Sequence, residues 1–362
     1  MEFKFEFSVA AGRPEATGNG AAAAEQPVPR SPPASGKEGR VELGGRSPSP
    51  AAELGVPCPG PGLREHPVPW GELDQLLDDK IVEVLELGSS PAIKIKHVNV
   101  AVVETALSRG EGEGEGEGGV SGAISTHSDL IPGVYEGGLK IWECTFDLLK
   151  HLDGVDLRSQ RVLDLGCGAG LLGILALRKQ AQEVHFQDYN GAVIEEITIP
   201  NVALSEEESE SSLGGKEEPG LEDEDDDDDD PPEKRRKGEE SSPPPKRGML
   251  SRCRFFSGEW SQFSKVHGSN GSFKYDVILT SETLYNPDCY GALHDTFLNL
   301  LSEKGTVYLA SKTHYFGVGG GIHLFESFVR ENKVFEIKTV KVIDDGLQRC
   351  IAAMSFRRVK CS

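Results

Sequence analysis

Three glycines at alternate positions, Gly166, Gly168 and Gly170, follow the apolar run Val162-Leu163-Asp164-Leu165 and lead straight into Leu171-Leu172-Gly173. That order spells a strand, a tight turn and a helix N-terminus, with glycines where a ligand has to approach the backbone closely. A second acid, Asp188, ends the stretch Glu183-Val184-His185-Phe186-Gln187, 22 residues beyond Gly166. An acid at that distance, at the end of the following strand, accepts hydrogen bonds from ribose hydroxyls. It can equally cap the helical segment that begins at Gly191. The glycine spacing departs by one residue from the dinucleotide pattern G-x-G-x-x-G, and the chain has no G-x-x-x-x-G-K-[ST] to cradle a triphosphate. A ligand that carries a nucleoside is the chemistry these residues fit.

Positioning them requires alternating strands and helices, and from about Ser125 the sequence supplies both. Apolar, β-branched runs predict strands over 161–165, 183–187, 253–256, 275–280, 305–310, 335–342 and 349–356. Helical spacing falls between them over 138–152, 170–179, 193–203, 289–301 and 322–332. The first of these helices places Leu139, Trp142, Phe146 and Leu149 on one face. Strands alternating with helices, closed by two late strands in a hairpin-like pair, predict an α/β fold with a mainly parallel sheet. Ahead of it, Phe3, Phe5 and Phe7 alternate with polar residues, 73–87 has helical spacing, and 92–103 reads as a strand. The expected organisation begins with a strand-like segment over 1–9 and a disordered arm over 10–65. A small helix and strand segment over 66–108 then packs on the main domain, and a Glu/Gly linker covers 109–122. The main domain takes 123–358, with a disordered acidic insert over 205–248.

Composition sets further bounds. The arm is rich in Ala, Gly, Pro and Ser and cannot offset its own ordering entropy. Between Ser205 and Arg247, 18 acidic residues stand against 7 basic ones, which supplies −11 of the chain's net charge of −21. About half of the acidity therefore belongs to the insert, which acts as a solvated spacer or attracts a basic partner. Inside it, Lys234, Arg235, Arg236 and Lys237 resemble a monopartite nuclear localisation signal, so nucleus (extending to the nucleolus) and cytoplasm are the expected locations. Seven scattered cysteines, never in C-x-x-C spacing, predict neither a disulfide framework nor a metal site and point to a reducing compartment. No stretch approaches 18 apolar residues, so a soluble protein away from the membrane is expected.

Asp164 ahead of the first glycine, with a close third glycine, resembles motif I of the S-adenosylmethionine-dependent methyltransferases. Five further blocks make the resemblance specific. They are Gly133-Val134-Tyr135-Glu136-Gly137-Gly138-Leu139-Lys140-Ile141-Trp142-Glu143-Cys144-Thr145, Phe186-Gln187-Asp188-Tyr189-Asn190 and Phe255-Phe256-Ser257-Gly258-Glu259-Trp260. Leu279-Thr280-Ser281-Glu282-Thr283-Leu284-Tyr285-Asn286 and Ser311-Lys312-Thr313-His314-Tyr315-Phe316-Gly317-Val318-Gly319-Gly320-Gly321 complete the set. Over roughly 125–357 the chain is similar to the protein-histidine N-methyltransferases of the seven-stranded methyltransferase superfamily. That resemblance implies a Rossmann-like seven-stranded sheet, mainly parallel with the last strand antiparallel, and helices on both faces. It implies S-adenosyl-L-methionine as cofactor and a histidine of a large-subunit ribosomal protein as acceptor, methylated at the ring nitrogen remote from the side-chain branch. It places Ile141, Trp142, Glu143, Cys144, Thr145 and Gly166 at the donor's methionine end, with Asp164 and Gly168 also binding the cofactor. Gln187, Asp188, Tyr189 and Asn190 fall at the ribose, Gly258, Glu259 and Trp260 near the adenine, and Ser281 beside the donor.

Methyl transfer from a sulfonium is an in-line displacement that needs close approach and exclusion of water more than acid–base power. A histidine is mostly neutral at neutral pH, so the enzyme has only to choose the tautomer by accepting the other ring N–H. Glu282 and Tyr285 are candidates for holding the ring, or they cap structure. His314 is a candidate proton relay, or it packs on Tyr315 and Phe316, and 316–321 reads as a mobile loop. Trp260 either stacks on a purine or belongs to the core, and Trp142 poses the same question. His127, on a polar joint 14 residues ahead of Ile141, is a candidate automethylation site. Two other functions fit the residues: a protein-lysine methyltransferase, whose acceptor needs a deprotonation route, and a non-catalytic ribosome-assembly factor. The expected partner is a basic protein substrate bound by a monomer, without sequence-specific contact to nucleic acid.

Overall fold

Residues 61–87, 92–109, 129–131, 133–213, 248–268 and 273–358 are described by the computed structural model, with backbone alone at 93 and 207–213. All of them belong to one unit. The segment 1–9, the arm up to residue 60, His127 and the basic run Lys234, Arg235, Arg236 and Lys237 lie outside the described residues.

The alternating apolar runs assemble into one eight-stranded sheet in the order β1-β6-β5-β4-β7-β8-β10-β9. The strands are β1 (Arg64–His66), β4 (Arg161–Leu165), β5 (Glu183–Asp188), β6 (Cys253–Ser257), β7 (Tyr275–Ser281), β8 (Leu301–Lys312), β9 (Phe335–Ile343) and β10 (Arg349–Phe356). From β6 through β8 the neighbours run parallel, β10 lies antiparallel between β8 and β9, and β1 pairs antiparallel with β6. The chain steps outward from β4 to β5 and β6, then returns to β7 on β4's other side. A crevice therefore opens at the carboxyl ends of β4 and β7, where such sheets bind ligands. A smaller hairpin, β2 (Val82–Leu87) with β3 (Ile93–Val98), stands apart from the main sheet.

Side chains alternate across the strands, so the sheet buries both faces. Val162, Val184, Phe186, Phe255 and Leu279 pack with α3 (Glu143–Leu152) and α4 (Leu171–Arg178) on one side. The same side takes the helical run α5, made of Gly191–Val193, a π turn Ile194–Thr198 and Ile199–Leu213. Leu163, Leu165, Phe256 and Ile278 point to the other side, against α6 (Trp260–Gly268), α7 (Tyr290–Leu300) and α8 (Ile322–Asn332). The hairpin and α2 (Val100–Ser108) join the first cluster through Ile95, Val98 and Val103, with Val98 N–H donating to Asn201 Oδ1 at 2.7 Å.

The sheet has eight strands where seven are expected, because β1 enters from the boundary of the arm thought to be disordered. It is an edge strand held by polar contacts that hydrophobicity does not reveal. Glu65 takes two bonds from the Arg254 guanidinium at 2.9 and 2.8 Å, and buried His66 lies between Ser257 Oγ (2.7 Å) and Glu195 Oε1 (2.9 Å). The helix expected over 73–87 is only α1 (Leu73–Asp78), and 82–87 becomes β2. The strand expected over 92–103 stops at Val98, where Asn99 caps α2 by accepting from Val102 N–H at 3.0 Å. The helix expected from 138 starts at Glu143, since Gly137 has a positive φ of 79° and Gly138 is pressed against Asp188. The helix expected over 193–203 runs on to Leu213, past residue 205, where the acidic insert was expected to begin.

Gly173 marks the tightest helix-to-sheet contact. A Cβ there would stand 2.3 Å from Phe186 Cε1 and 3.0 Å from Val184 Cγ1, and Phe186 is itself stacked on Phe255. Gly173→Ala should therefore destabilise by about 1–3 kcal/mol, the usual cost of overpacking, despite alanine's better helix propensity. Urea unfolding measures it, and a variant as stable as the parent would show that Phe186 has room to move.

Candidate active site

The carboxyl ends of β4 and β5 carry the two acids. Gly166 and Gly168 turn with φ of 65° and 49°, a region that favours glycine, and neither has room for a side chain. A Cβ at Gly166 would meet Thr283 Cγ2 at 2.7 Å, and one at Gly168 would meet the Gly138 carbonyl at 3.0 Å. The turn is braced from behind. The π turn lets Thr198 Oγ1 donate to Gly168 O at 2.7 Å, and Asn201 Nδ2 reaches Ala169 O at 2.8 Å. Asp164 Oδ2 accepts Gly173 N–H and Asp188 Oδ2 accepts Gly168 N–H, both at 2.9 Å. Burial pushes Asp164 up to about 8, its Gly173 bond only partly opposing this. Burial likewise pushes Asp188 up to about 6, with the neighbouring Glu136 carboxylate adding to the rise.

The segment Gly133–Trp142 roofs this turn. Tyr189 donates its hydroxyl to Gly133 O at 3.0 Å, and Asn190 donates to Val134 O at 2.9 Å while accepting Glu136 N–H at 3.2 Å. Gly138 fits only because it lacks a side chain, since a Cβ would lie 2.9 Å from Asp188 Oδ1. Trp142 donates its indole N–H to Gly137 O at 3.0 Å and lies under the ammoniums of Lys140 and Lys312, each 5.3 Å from the ring. It is thus a strut of the roof. Ile141 packs on the first core cluster.

At the end of β7, Ser281 and Thr145 share a hydroxyl bond of 2.8 Å. Glu282 adopts a positive φ of 60° and is buried. Its Oε1 accepts Cys144 N–H at 3.2 Å, anchoring the start of α3, and its Oε2 accepts the Tyr315 hydroxyl. Lys312, only 4 % exposed, lies 3.2 Å from Glu143 Oε2 and 3.8 Å from Glu282 Oε1. Burial first and Glu282 second hold the Cys144 thiol and Tyr315 phenol well above their usual ranges. Glu282, a candidate for holding substrate, is therefore engaged as a pin between β7, α3 and Lys312. Tyr285 donates instead to Glu136, a residue the sequence reading left without a role. In the loop just past β8, Tyr315 turns inward and His314 is left exposed, edge-on to the exposed Phe316 at 4.9 Å, so His314 is not brought to the cluster. The glycine loop behind it is tied down by Gly320 N–H donating to Tyr285 O at 2.9 Å.

Beyond β5, Gln187 Nε2 donates to Gly258 O at 2.8 Å, and Gly258 N–H to Asp188 O at 3.0 Å. Glu259 opens α6, its carbonyl taking Phe263 N–H at 3.0 Å, and Trp260 is half-buried against the second core cluster. The residues fit an S-adenosylmethionine donor on one count: Asp164 Oδ1 and Gln187 Oε1 are buried without a hydrogen-bond partner.

Lys312 offers a test of the pin. Lys312→Met keeps much of the side chain and removes the charge, leaving the Glu282 carboxylate with Cys144 N–H and Tyr315 alone. The expected loss is about 3 kcal/mol, the lower end for breaking a buried pair, because Glu143 is partly exposed. A midpoint shift in urea at unchanged slope checks it, and no shift would make the ion pair neutral to stability.

A family model described as a methyltransferase domain matches residues 143–339. The histidine protein methyltransferase 1 homolog of Bos taurus is 48% identical over 300 residues, covering 81% of this chain and 72% of the relative. Its Rattus norvegicus counterpart is 47% identical over 319 residues, covering 86% and 80%. The one from Dictyostelium discoideum is 37% identical over 222 residues, covering 61% and 57%. The chain is therefore an S-adenosylmethionine-dependent methyltransferase and belongs to the histidine protein methyltransferase family.

Proposed function

We propose that the enzyme methylates Nε2, the ring nitrogen remote from the side-chain branch, of a histidine in a basic protein of the large ribosomal subunit. One observation carries the reading: the glycine turn, Asp188 and the Glu136–Tyr285 pair converge on the crevice between β4 and β7. The bound donor supplies an electrophilic methyl group. On this reading Asp188 accepts the ribose hydroxyls, and the donor's carboxylate lies against the turn at Gly166. Trp260 offers a face to the purine, and the Gly133–Trp142 roof keeps water from the reacting atoms. A neutral imidazole already carries its lone pair, so no strong base is needed.

The mouth supports a basic substrate. Glu136, Asp288 and Glu259 all act on Cys289 there, adding to the burial that pushes its thiol up to about 11. A lysine acceptor fits less well, because the carboxylate of the Glu282-x-x-Tyr285 block is spent on Cys144, Tyr315 and Lys312. The same reading takes the enzyme as a monomer working in the nucleus and cytoplasm. Labelled donor, large-subunit ribosomal proteins and mapping by mass spectrometry test it. One Nε2-methylhistidine is expected, and label on lysine alone would refute it.

Donor binding should also depend on pH. The folded pKa of Asp188, about 6, stands above its unfolded value of about 3.9. Its own contribution to the stability of the donor-free protein is thus full below about pH 4 and lost as pH rises through about 6. Ribose hydroxyls donate to the ionised form, so donor affinity should climb from pH 5 to about 7 and then level. Calorimetry without substrate reads this, and Asp188→Asn should flatten the curve. A flat curve for the parent would remove Asp188 from the ribose site.

A further inference from the structure

The Glu282 carboxylate is buried among Cys144, Tyr315 and Lys312, away from an incoming substrate. Glu136 lies where a group that selects the substrate tautomer is needed. Its N–H donates to Asn190 Oδ1 just past β5, and its Oε2 accepts the hydroxyl of Tyr285, four residues past β7. Since β4 lies between β5 and β7, Glu136 spans the crevice above the Gly166 turn. Its Oε1 accepts Gly133 N–H at 2.6 Å. A carboxylate offers about four lone-pair positions, so two bonds leave it able to accept more. Its charge is felt on three sides, by Asp188 at the end of β5, by Tyr285, and by Cys289 at the start of α7. The Tyr285 phenol, held well above the usual tyrosine range chiefly by burial, stays protonated at neutral pH. It therefore remains a donor that fixes the carboxylate in one position.

We propose that Glu136 is a catalytic residue that accepts the Nδ1–H of the substrate imidazole, held in place by Tyr285 and the Gly133 N–H, so that only Nε2 presents a lone pair to the donor. The inference rests on the histidine reading above. The imidazole Nε2 lone pair takes the methyl carbon while the carbon–sulfur electron pair leaves with the thioether. The ring becomes a cation with its proton on Nδ1. Glu136 opposes that charge as it develops, through a charge-assisted hydrogen bond in a sheltered site. It then receives the Nδ1 proton and passes it to water, and neutral Nε2-methylhistidine remains.

The test uses the full-length chain, labelled donor and large-subunit ribosomal proteins as the substrate mixture. Glu136→Gln keeps an uncharged acceptor, whereas Glu136→Leu removes it. Donor Kd should stay within about twofold in both, since Glu136 is assigned to the acceptor and not the donor. The rate at saturating donor should fall about 10-fold for Glu136→Gln and about 100-fold for Glu136→Leu, within the span of general acid–base effects. Chromatography of hydrolysed product should show Nε2-methylhistidine alone from the parent and Glu136→Gln, with Nδ1-methylhistidine joining it from Glu136→Leu. A Glu136→Leu enzyme with parental rate and pure Nε2 product overturns the proposal. So does a donor Kd raised more than about tenfold with the rate preserved, which would make Glu136 a donor contact. If the parent labels no histidine in the mixture, the proposed function itself fails, and this inference falls with it.

Discussion

One buried carboxylate organises the ligand-binding end of the sheet. Asp188 is held by the backbone N–H groups of Gly168, Asn190 and Tyr189, so a charge taken out of water is met by dipoles. That compensation is incomplete, so burial still pushes its pKa up to about 6, and a ligand offering hydroxyl protons would complete it. The same side chain fixes the geometry of its surroundings. Its Oδ2 draws in the glycine turn, and its Oδ1 leaves no space for a side chain at 138, so the roof settles directly on it.

The far side of the crevice solves the opposite problem with a cation. Lys312 is buried at the end of β8 with Glu282 and Glu143 in reach and the rings of Trp142 and Tyr315 against it. Glu282 holds a left-handed backbone conformation that a non-glycine residue adopts at a cost of about 1–3 kcal/mol. Its N–H bond to Ala310 O at 3.0 Å, the Tyr315 hydroxyl and the Cys144 N–H together keep it there. Through that pin, the strand ends of β7 and β8 set the position of α3, and with it Thr145 against Ser281.

What was legible in the sequence follows from how local each constraint is. The glycine turn and Asp188 declare themselves because strand, turn and helix start are consecutive, and the parallel core strands because burial on both faces leaves continuous apolar runs. β1 is illegible because its three residues, Arg64, Glu65 and His66, are held by partners such as Arg254 and Glu195, more than 120 positions away. Glu282 and Glu136 illustrate the same limit at the site. Both acids lie in segments whose spacing marks them as functional, but spacing says nothing about which is spent on a helix start and which faces the crevice. That is decided by Cys144, Lys312 and Tyr315 on one side and by Asn190 and Tyr285 on the other, which only the folded sheet brings together. His314 lies apart from the cluster for a simpler reason: in the loop just past β8, Tyr315 turns inside and His314 outside.

The charge pattern also bears on turnover. On the proposed reading an acidic mouth would draw a basic protein segment in, and the same field would favour an imidazolium as it forms, so a cationic product would be held as tightly as the transition state that precedes it. Binding both equally well would slow release. A carboxylate that takes the Nδ1 proton and returns it to water removes the positive charge from the ring once the methyl group is in place. The attraction is then strongest while charge develops and weakest when the product has to leave. On this view Glu136 needs its half-buried position at the roof's edge: deep enough for Tyr285 to fix it, and open enough to pass a proton to solvent. Glu282, sealed against Lys312, has the first property and lacks the second.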